Sequence, residues 1–293
     1  MLKKVETNFL SICVPVYNEE KSIKKTISDL YNSFQESEII VVNDGSNDKT
    51  YELLKSIEKD NVILLNNHKN MGYGYSLKKA MEKAKGKYIA WFDGDGQHRI
   101  EDLKNIYNYI INEGCDVVIG ARGEGSYQVK KRIIGKLVLK IVAQFIVKER
   151  IPDLNSGLRV FKKDAILRYM HLLPNGFSAS STSTVIMHKF GYDVRYVKIK
   201  TKKRKGKSTV NIFIDGFRSL KLLFNLFILF EAFNFFLFLS AVQLFVGFIY
   251  GFYMAWKNKL GFPIFASTLV ITGVFTFFFG ILAEQITAMR KEK

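Results

Sequence analysis

The chain has 293 residues, with 44 Lys and Arg against 27 Asp and Glu, giving a formal net charge of +17. Hydrophobic residues make up 48% and only four residues are proline, which excludes an intrinsically disordered or collagen-like chain. A mean hydropathy of +0.02 beside so large a charge requires the apolar residues to be concentrated in part of the sequence.

The first residues, Met1 to Glu6, lack the apolar segment of a secretory signal, so the N-terminal domain is expected to stay in the cytosol. Cys13 and Cys115 are the only cysteines and lie in apolar runs. They read as buried, reduced residues rather than a disulfide framework or a thiolate metal site. Up to about residue 120, short β-branched runs alternate with amphipathic stretches. Strands are predicted at Phe9 to Val14, Glu38 to Val42, Val62 to Leu65, Lys87 to Phe92 and Asp116 to Ile119. The alternation predicts βαβ units and a mostly parallel α/β sheet, whose ligands bind beyond the carboxyl ends of the strands. Polar clusters stand at those ends: Tyr17-Asn18-Glu19, Asn43-Asp44-Gly45-Ser46, Asp93 to His98, and Gly120-Ala121-Arg122.

Asp93-Gly94-Asp95-Gly96-Gln97 carries the most chemistry. Two carboxylates and a side-chain amide offer hard oxygen ligands suited to Mg²⁺ or Mn²⁺. The glycines allow a sharp turn and the close approach of a diphosphate. No EF-hand is supported, because no bidentate Glu follows at the required spacing. Asp44 also follows a strand, where a carboxylate can accept hydrogen bonds from a base or ribose. Neither G-x-G-x-x-G after the first strand nor a P-loop is present, so a bound nucleotide must be held by a metal and by loops. His98 adjoins this loop and is a candidate contact, whereas His68, His171 and His188 read as isolated packing or surface residues.

Beyond residue 122 the chain turns basic and then apolar. Ile133 to Val147 spaces its apolar residues near helical period with Lys136 and Lys140 between them, as in an interfacial helix whose lysines reach headgroups. Phe217 to Phe230 is a second candidate. Phe233 to Trp256 is 24 residues without a charge and Phe262 to Ala283 another 22, each long enough to cross a hydrocarbon core of about 30 Å. The five-residue link between them forms a tight hairpin carrying two lysines. The other side has Arg204, Lys205, Lys207, Arg218, Lys221, Arg290, Lys291 and Lys293, which places the N-terminal domain and C-terminus in the cytoplasm. The expected division is 1–210 for the catalytic domain, with 126–150 interfacial, 211–232 juxtamembrane, 233–256 and 262–283 spanning, and 284–293 a cytoplasmic tail.

Seven motifs in order resemble the family 2 glycosyltransferases of GT-A fold, within them the dolichyl-phosphate mannose synthase-like group. These are Val14-Pro15-Val16-Tyr17-Asn18-Glu19-Glu20, Asn43 to Ser46, Asn70-Met71-Gly72, Asp93 to His98, Gly120-Ala121-Arg122, Asn155-Ser156-Gly157-Leu158-Arg159, and Arg204-Lys205-Gly206-Lys207-Ser208. The resemblance implies that Pro15, Tyr17, Glu19, Asp44 and Gly72 serve the nucleotide sugar, and that Asp93, Asp95 and Gln97 hold the metal. It implies a mobile basic loop in which Lys203 or Arg204, with Ser208, clamps the diphosphate. It places the acceptor phosphate on Arg122, Lys130, Lys131 and Arg132.

One absence is informative. Glycosylating a sugar hydroxyl requires a general base, yet Asn175 to Thr184 contains no carboxylate. A phosphate monoester, with a second pKa of about 6, is already mostly dianionic at neutral pH. The expected enzyme is therefore an inverting, metal-dependent transferase that moves mannose, glucose or GlcNAc from UDP or GDP to a polyprenyl phosphate. Asp93, Asp95, Arg122 and Arg132 would be its central residues, the membrane its location, and homo-oligomers possible assemblies. A transferase acting on a diacylglycerol or polysaccharide would need a carboxylate base, and a basic membrane tether would leave Asp93 and Asp95 without purpose. The strips Arg122 to Arg150 and Arg195 to Ser208 each hold eight basic residues, with two acidic residues in the first and none in the second. They are expected to face anionic lipid and phosphates rather than nucleic acid.

Overall fold

A computed structural model describes residues 9–57, 59–123, 133–202, 212–259 and 261–291. It divides into two compact units, Met1–Ile212 and Phe213–Lys293. Lys130, Lys131, Arg132, Lys203, Arg204 and Ser208 lie outside the described residues.

In the first unit, β1 (Leu10–Val16), β2 (Glu38–Asn43), β3 (Val62–Asn66), β4 (Tyr88–Trp91), β5 (Val117–Arg122), β6 (Arg159–Lys162) and β7 (Val194–Ile199) form one sheet in the order β3-β2-β1-β4-β6-β5-β7. All pairings are parallel except those of β6, which runs antiparallel to both β4 and β5. The sheet is thus mixed and mostly parallel, as expected. The helices are α1 (Ile23–Ser33), α2 (Thr50–Lys55), α3 (Tyr73–Lys83), α4 (Ile100–Glu113), α5 (Ile133–Val147), α6 (Lys163–Arg168) and α7 (Ala179–Lys189). Strands β1 and β2 are buried along their whole length, which is why they read as continuous apolar runs rather than alternating ones. Ile12, Val14, Ile39 and Val41 share a core with Ile27 and Leu30 of α1 and with Leu103, Ile106 and Ile110 of α4. Cys13 and Cys115 are free and buried.

Two strands escape the sequence pattern. Only four residues long, β6 opens and closes on basic residues, Arg159 and Lys162. At the sheet edge, β7 interleaves Arg195 and Lys198 with apolar residues and is only partly buried, so it reads as part of a charged strip. The predicted first strand also runs on through Pro15 to Val16. Pro15 lies beyond the last pairing with β4, Cys13 with Trp91, so its missing N–H breaks no ladder on that side.

The start of α3 is pressed onto the segment that precedes α7. A Cβ on Gly74 would collide with the Pro174 carbonyl oxygen, and one on Gly72 with that of Asn175. Tyr75 N donates to Asn175 O at 3.1 Å, while Lys78 Nζ donates to Leu173 O at 3.1 Å and Asn175 Oδ1 at 2.6 Å. Glycine is required here because backbone meets backbone.

The second unit comprises α8 (Ile212–Asn258) and α9 (Ile264–Lys291). Segments Phe224–Lys257 and Ile264–Lys291 are long and apolar enough to cross a membrane. Large apolar side chains stand exposed on both, including Phe238, Trp256, Ile264 and Phe275. The buried residues of α9 are Ala266, Gly273, Gly280 and Thr287, a seven-residue repeat of small side chains that lets the two backbones approach. Ser240 Oγ donates to Gly273 O at 2.7 Å. Helix α8 breaks at Glu231, whose φ of −139° is non-helical. Phe233 N, just past the break, donates to Glu284 Oε2 on α9 at 3.3 Å.

Gly74→Ala is expected to destabilise the protein by about 2 kcal/mol through overpacking against Pro174. Gly176→Ala, which would meet nothing within 4 Å, should stay within roughly 0.5 kcal/mol. Thermal melting of the detergent-solubilised chain compares the two.

Candidate functional site

The carboxyl ends of β1, β2, β4 and β5 lie along one edge of the sheet. Because β6 is antiparallel, its leading residues 155–158 join the same edge. Loops distant in sequence therefore meet there.

On the β1–β2 side, Asn18 adopts a positive φ of 54°, and its Oδ1 accepts from Asn47 N at 2.8 Å. Tyr17 is exposed, whereas Glu19 and Asp44 are buried. Glu19 N donates to Thr50 Oγ1 at 2.8 Å, and Ser22 Oγ donates to Glu19 Oε2 at 3.1 Å and to Gly94 O at 3.1 Å. Ser22 thus ties the first loop to the aspartate loop. Asp44 Oδ1 accepts from Asn67 Nδ2 at 2.8 Å and Met71 N at 2.9 Å, and Oδ2 from Gly72 N at 2.8 Å. Those bonds fix Gly72 at φ 104°, a conformation that favours glycine. Three sequence-predicted residues, Glu19, Asp44 and Gly72, are accordingly part of the loop framework.

Asp93 and Asp95 emerge from β4. Asp93 Oδ1 accepts from Tyr73 Oη at 2.8 Å, and Oδ2 lies 3.2 Å from His98 Nε2. Burial alone would raise the Asp93 pKa, but His98 and Tyr73 hold the carboxyl below its ordinary value. Burial works against protonation of His98 too, yet the bond and charge of Asp93 outweigh it and raise that pKa. Tyr73 is pushed well above a normal phenol by burial and by Asp93, so it remains a hydrogen-bond donor. Gly157 leaves the space that Asp93 fills, since a Cβ there would strike the carboxylate. Asp95 Oδ1 accepts from Gln97 N at 3.0 Å, while the Gln97 side chain donates to Lys202 O at 3.3 Å. Lys202 N returns a bond to Gln97 O at 2.9 Å. Lys202 of the basic strip is therefore held against the aspartate loop.

Burial and the neighbouring charge of Asp93 push Asp95 up to about 6. Such strain between two carboxylates is relieved by a cation. Among the described residues, no three His, Cys, Asp or Glu side chains converge as a metal cluster. A divalent ion on Asp93 and Asp95 would complete its shell with ligand oxygens and water, the usual mode of Mg²⁺ in phosphate sites. The donor set fits such an ion.

Arg122 ends β5 in a two-pronged bond to Asp153, Nε to Oδ2 at 2.7 Å and Nη2 to Oδ1 at 2.8 Å. Asp153 also accepts from Asn155 N at 3.1 Å, and the Arg122 bonds hold its pKa below the ordinary range against the effect of burial. Behind the site, Arg159 is wholly buried. Among the described residues its guanidinium bonds only neutral oxygens: Ser156 O, Ser180 O at 2.8 Å, Ser183 Oγ at 2.8 Å and Thr184 Oγ1 at 3.1 Å. Burial pulls its pKa down to about 10. The serine and threonine run of α7, buried throughout, is thus the lining of a buried cation.

Tyr73, Asp153 and Arg159 are site residues that patterning missed. Arg159 sat within a quoted motif without a role, whereas nothing local marks Tyr73 or Asp153. His188 is not isolated, in contrast to the sequence expectation. Its Nδ1 lies 2.7 Å from Glu149 Oε2 and its Nε2 2.9 Å from Tyr196 Oη, because the fold brings the end of α5 and strand β7 to the last turn of α7.

Residues 11–170 match the domain described as glycosyl transferase family 2, and residues 233–289 match the GtrB C-terminal hairpin. The UDP-N-acetylglucosamine–dolichyl-phosphate N-acetylglucosaminyltransferase of Methanococcus voltae is 30% identical, over 65% of this chain and 84% of its own. The dolichyl-phosphate beta-glucosyltransferase of Dictyostelium discoideum is 28% identical, over 56% of this chain and 57% of its own. Glucosyl-3-phosphoglycerate synthase from Mycobacterium tuberculosis, solved with Mn²⁺, UDP and phosphoglyceric acid, superposes with a TM-score of 0.61 at 16% identity, covering 75% of this chain and 78% of that one. That likeness concerns the GT-A fold alone. With the domain match covering more than half of the sequence, the chain belongs to glycosyl transferase family 2 and is a glycosyltransferase.

Proposed function

We propose that the enzyme transfers a hexose or N-acetylhexosamine from a UDP- or GDP-sugar to a polyprenyl phosphate at the cytoplasmic face of a membrane, with inversion at the anomeric carbon. The observation that carries this reading is the pairing of a half-buried two-carboxylate loop, Asp93 and Asp95, with an acceptor-side segment, 175–184, that contains no carboxylate. The first suits the metal-bound diphosphate of a nucleotide sugar; the second suits an acceptor that arrives already ionised. The dolichyl-phosphate acceptors in the names of the relatives point the same way.

Pro15, Tyr17, Glu19, Asp44 and Gly72 line the nucleoside side. Asp93, Asp95 and Gln97 would hold the divalent cation, Mg²⁺ or Mn²⁺, while Gln97 Nε2 also closes the loop onto Lys202 O. When bound, the cation supplies positive charge to the departing diphosphate. Lys203 or Arg204, with Ser208, adds donors to the same oxygens, electrostatic stabilisation of charge that develops as the bond breaks. An acceptor phosphate oxygen attacks the anomeric carbon opposite the leaving group, forming the new C–O bond as the bond to the diphosphate oxygen breaks. No proton is transferred. Arg122, oriented by Asp153 through Nε and Nη2, serves the acceptor phosphate together with Lys131 and Arg132.

Membranes containing the enzyme, supplied with radiolabelled UDP- and GDP-sugars and a polyprenyl phosphate, should yield a labelled lipid that releases its sugar in mild acid. Label that appears only in a base-labile glycerolipid or in polymer would overturn the acceptor assignment. Asp95→Asn should lower transfer by a factor of about 100 or more, of the order seen when a transition-state interaction is removed, while membrane insertion stays intact. Tyr73→Phe, which removes the donor to Asp93, should weaken Mn²⁺ binding about tenfold, read by Mn²⁺ electron paramagnetic resonance, with activity recovering at high metal. Arg122→Ala should raise the acceptor KM about tenfold and leave the donor KM unchanged.

A further inference from the structure

Phe177 is 80% exposed, whereas Phe34, Phe92 and Phe161 in the same unit are buried. Its ring is nonetheless placed: it stacks on Tyr73 with centroids 5.5 Å apart and planes 20° apart. Tyr73 in turn donates to Asp93, so an apolar ring stands in solvent two contacts from the carboxylate loop. The backbone beneath it is pinned to α3 through Lys78, Tyr75 and the close approach of Gly72 and Gly74.

Two ligand chemistries could use such a ring. A sugar face needs hydrogen-bonding neighbours, and here Gly176 has no side chain while Asn175 Oδ1 is taken by Lys78. A hydrocarbon needs only apolar surface. The segment leads directly into α7, on which α5 packs, and α5 leaves Ile141 and Phe145, one turn apart, exposed. Helix α5, which packs on α7, thus adds exposed apolar side chains to the same unit.

We propose that Phe177, backed by Tyr73, is the subsite for the first isoprene unit of the acceptor. This rests on the polyprenyl-phosphate reading above. An acceptor phosphate that reaches the aqueous site draws its first prenyl carbons out of hydrocarbon, and the aromatic face covers them where water otherwise would. Phe177 acts on affinity and alignment of the acceptor and takes no part in bond making.

The test is steady-state kinetics of the full chain in detergent, with a ten-carbon prenyl phosphate as acceptor. Phe177→Ala is expected to raise the acceptor KM about tenfold, with the donor KM unchanged and kcat within about twofold. Phe177→Leu should recover most of the loss, because it restores apolar area without the ring. An unchanged acceptor KM in Phe177→Ala overturns the subsite alone, as does a rise confined to the donor KM, which would place the ring against the sugar. Absence of transfer by the unmutated enzyme to any prenyl phosphate, with transfer to another acceptor, overturns the function itself and the subsite with it.

Discussion

Two carboxylates leave the buried end of β4 two residues apart, and the surrounding fold is arranged around the cost of keeping them together. Asp93 is held ionised by Tyr73 and His98, while Asp95, next to it, is pushed up to about 6 by burial and by that charge. Every neighbouring element contributes to the arrangement. Tyr73 opens α3, and α3 is positioned by glycines that let it touch the segment before α7. Gly157, leading into the antiparallel β6, leaves the volume that Asp93 occupies. Ser22 joins the loop after β1 to Gly94. A site that holds two carboxylates this close together is suited to receive a cation.

Positive charge is distributed with the same economy. Arg159 is buried among neutral oxygens that include those of α7 and faces Trp91 at 5.4 Å, so among the described residues no salt bridge cancels its charge, which adds a fixed positive potential behind the site. Arg122 is compensated by Asp153, which orients it. Lys202 is tied by its backbone to Gln97, which brings that residue of the basic strip to the aspartate loop. Arg122, Arg159 and Lys202 thus bring part of the net charge of +17 to the site, and the near-zero mean hydropathy averages a basic catalytic unit with a helical hairpin that exposes large apolar side chains.

Most of the parallel sheet was legible because buried strands are apolar without interruption, and because the polar clusters necessarily sit where such strands end. β6 was not legible: four residues bounded by Arg and Lys carry no periodic signal, and the burial of Arg159 depends on α7, a partner 20 residues later. β7 hid its apolar face among edge lysines. In the site, the motif aspartates could be found because two carboxylates between glycines have few other uses. Tyr73 could not, since a tyrosine at a helix start is unremarkable until the fold sets its hydroxyl on Asp93. The same holds for Asp153 and for the Glu149–His188–Tyr196 contact, each made across segments that sequence spacing does not relate.

The central claim is that the Asp93–Asp95 pair is completed by a cation and a diphosphate together. Calorimetric titration of UDP and GDP into the full chain, with Mn²⁺ and again with the metal chelated, addresses it directly. The account predicts that one of the two nucleotides binds at least about 30-fold more tightly with metal, a coupling of the usual 1–3 kcal/mol size. Equal affinity with and without metal would contradict it.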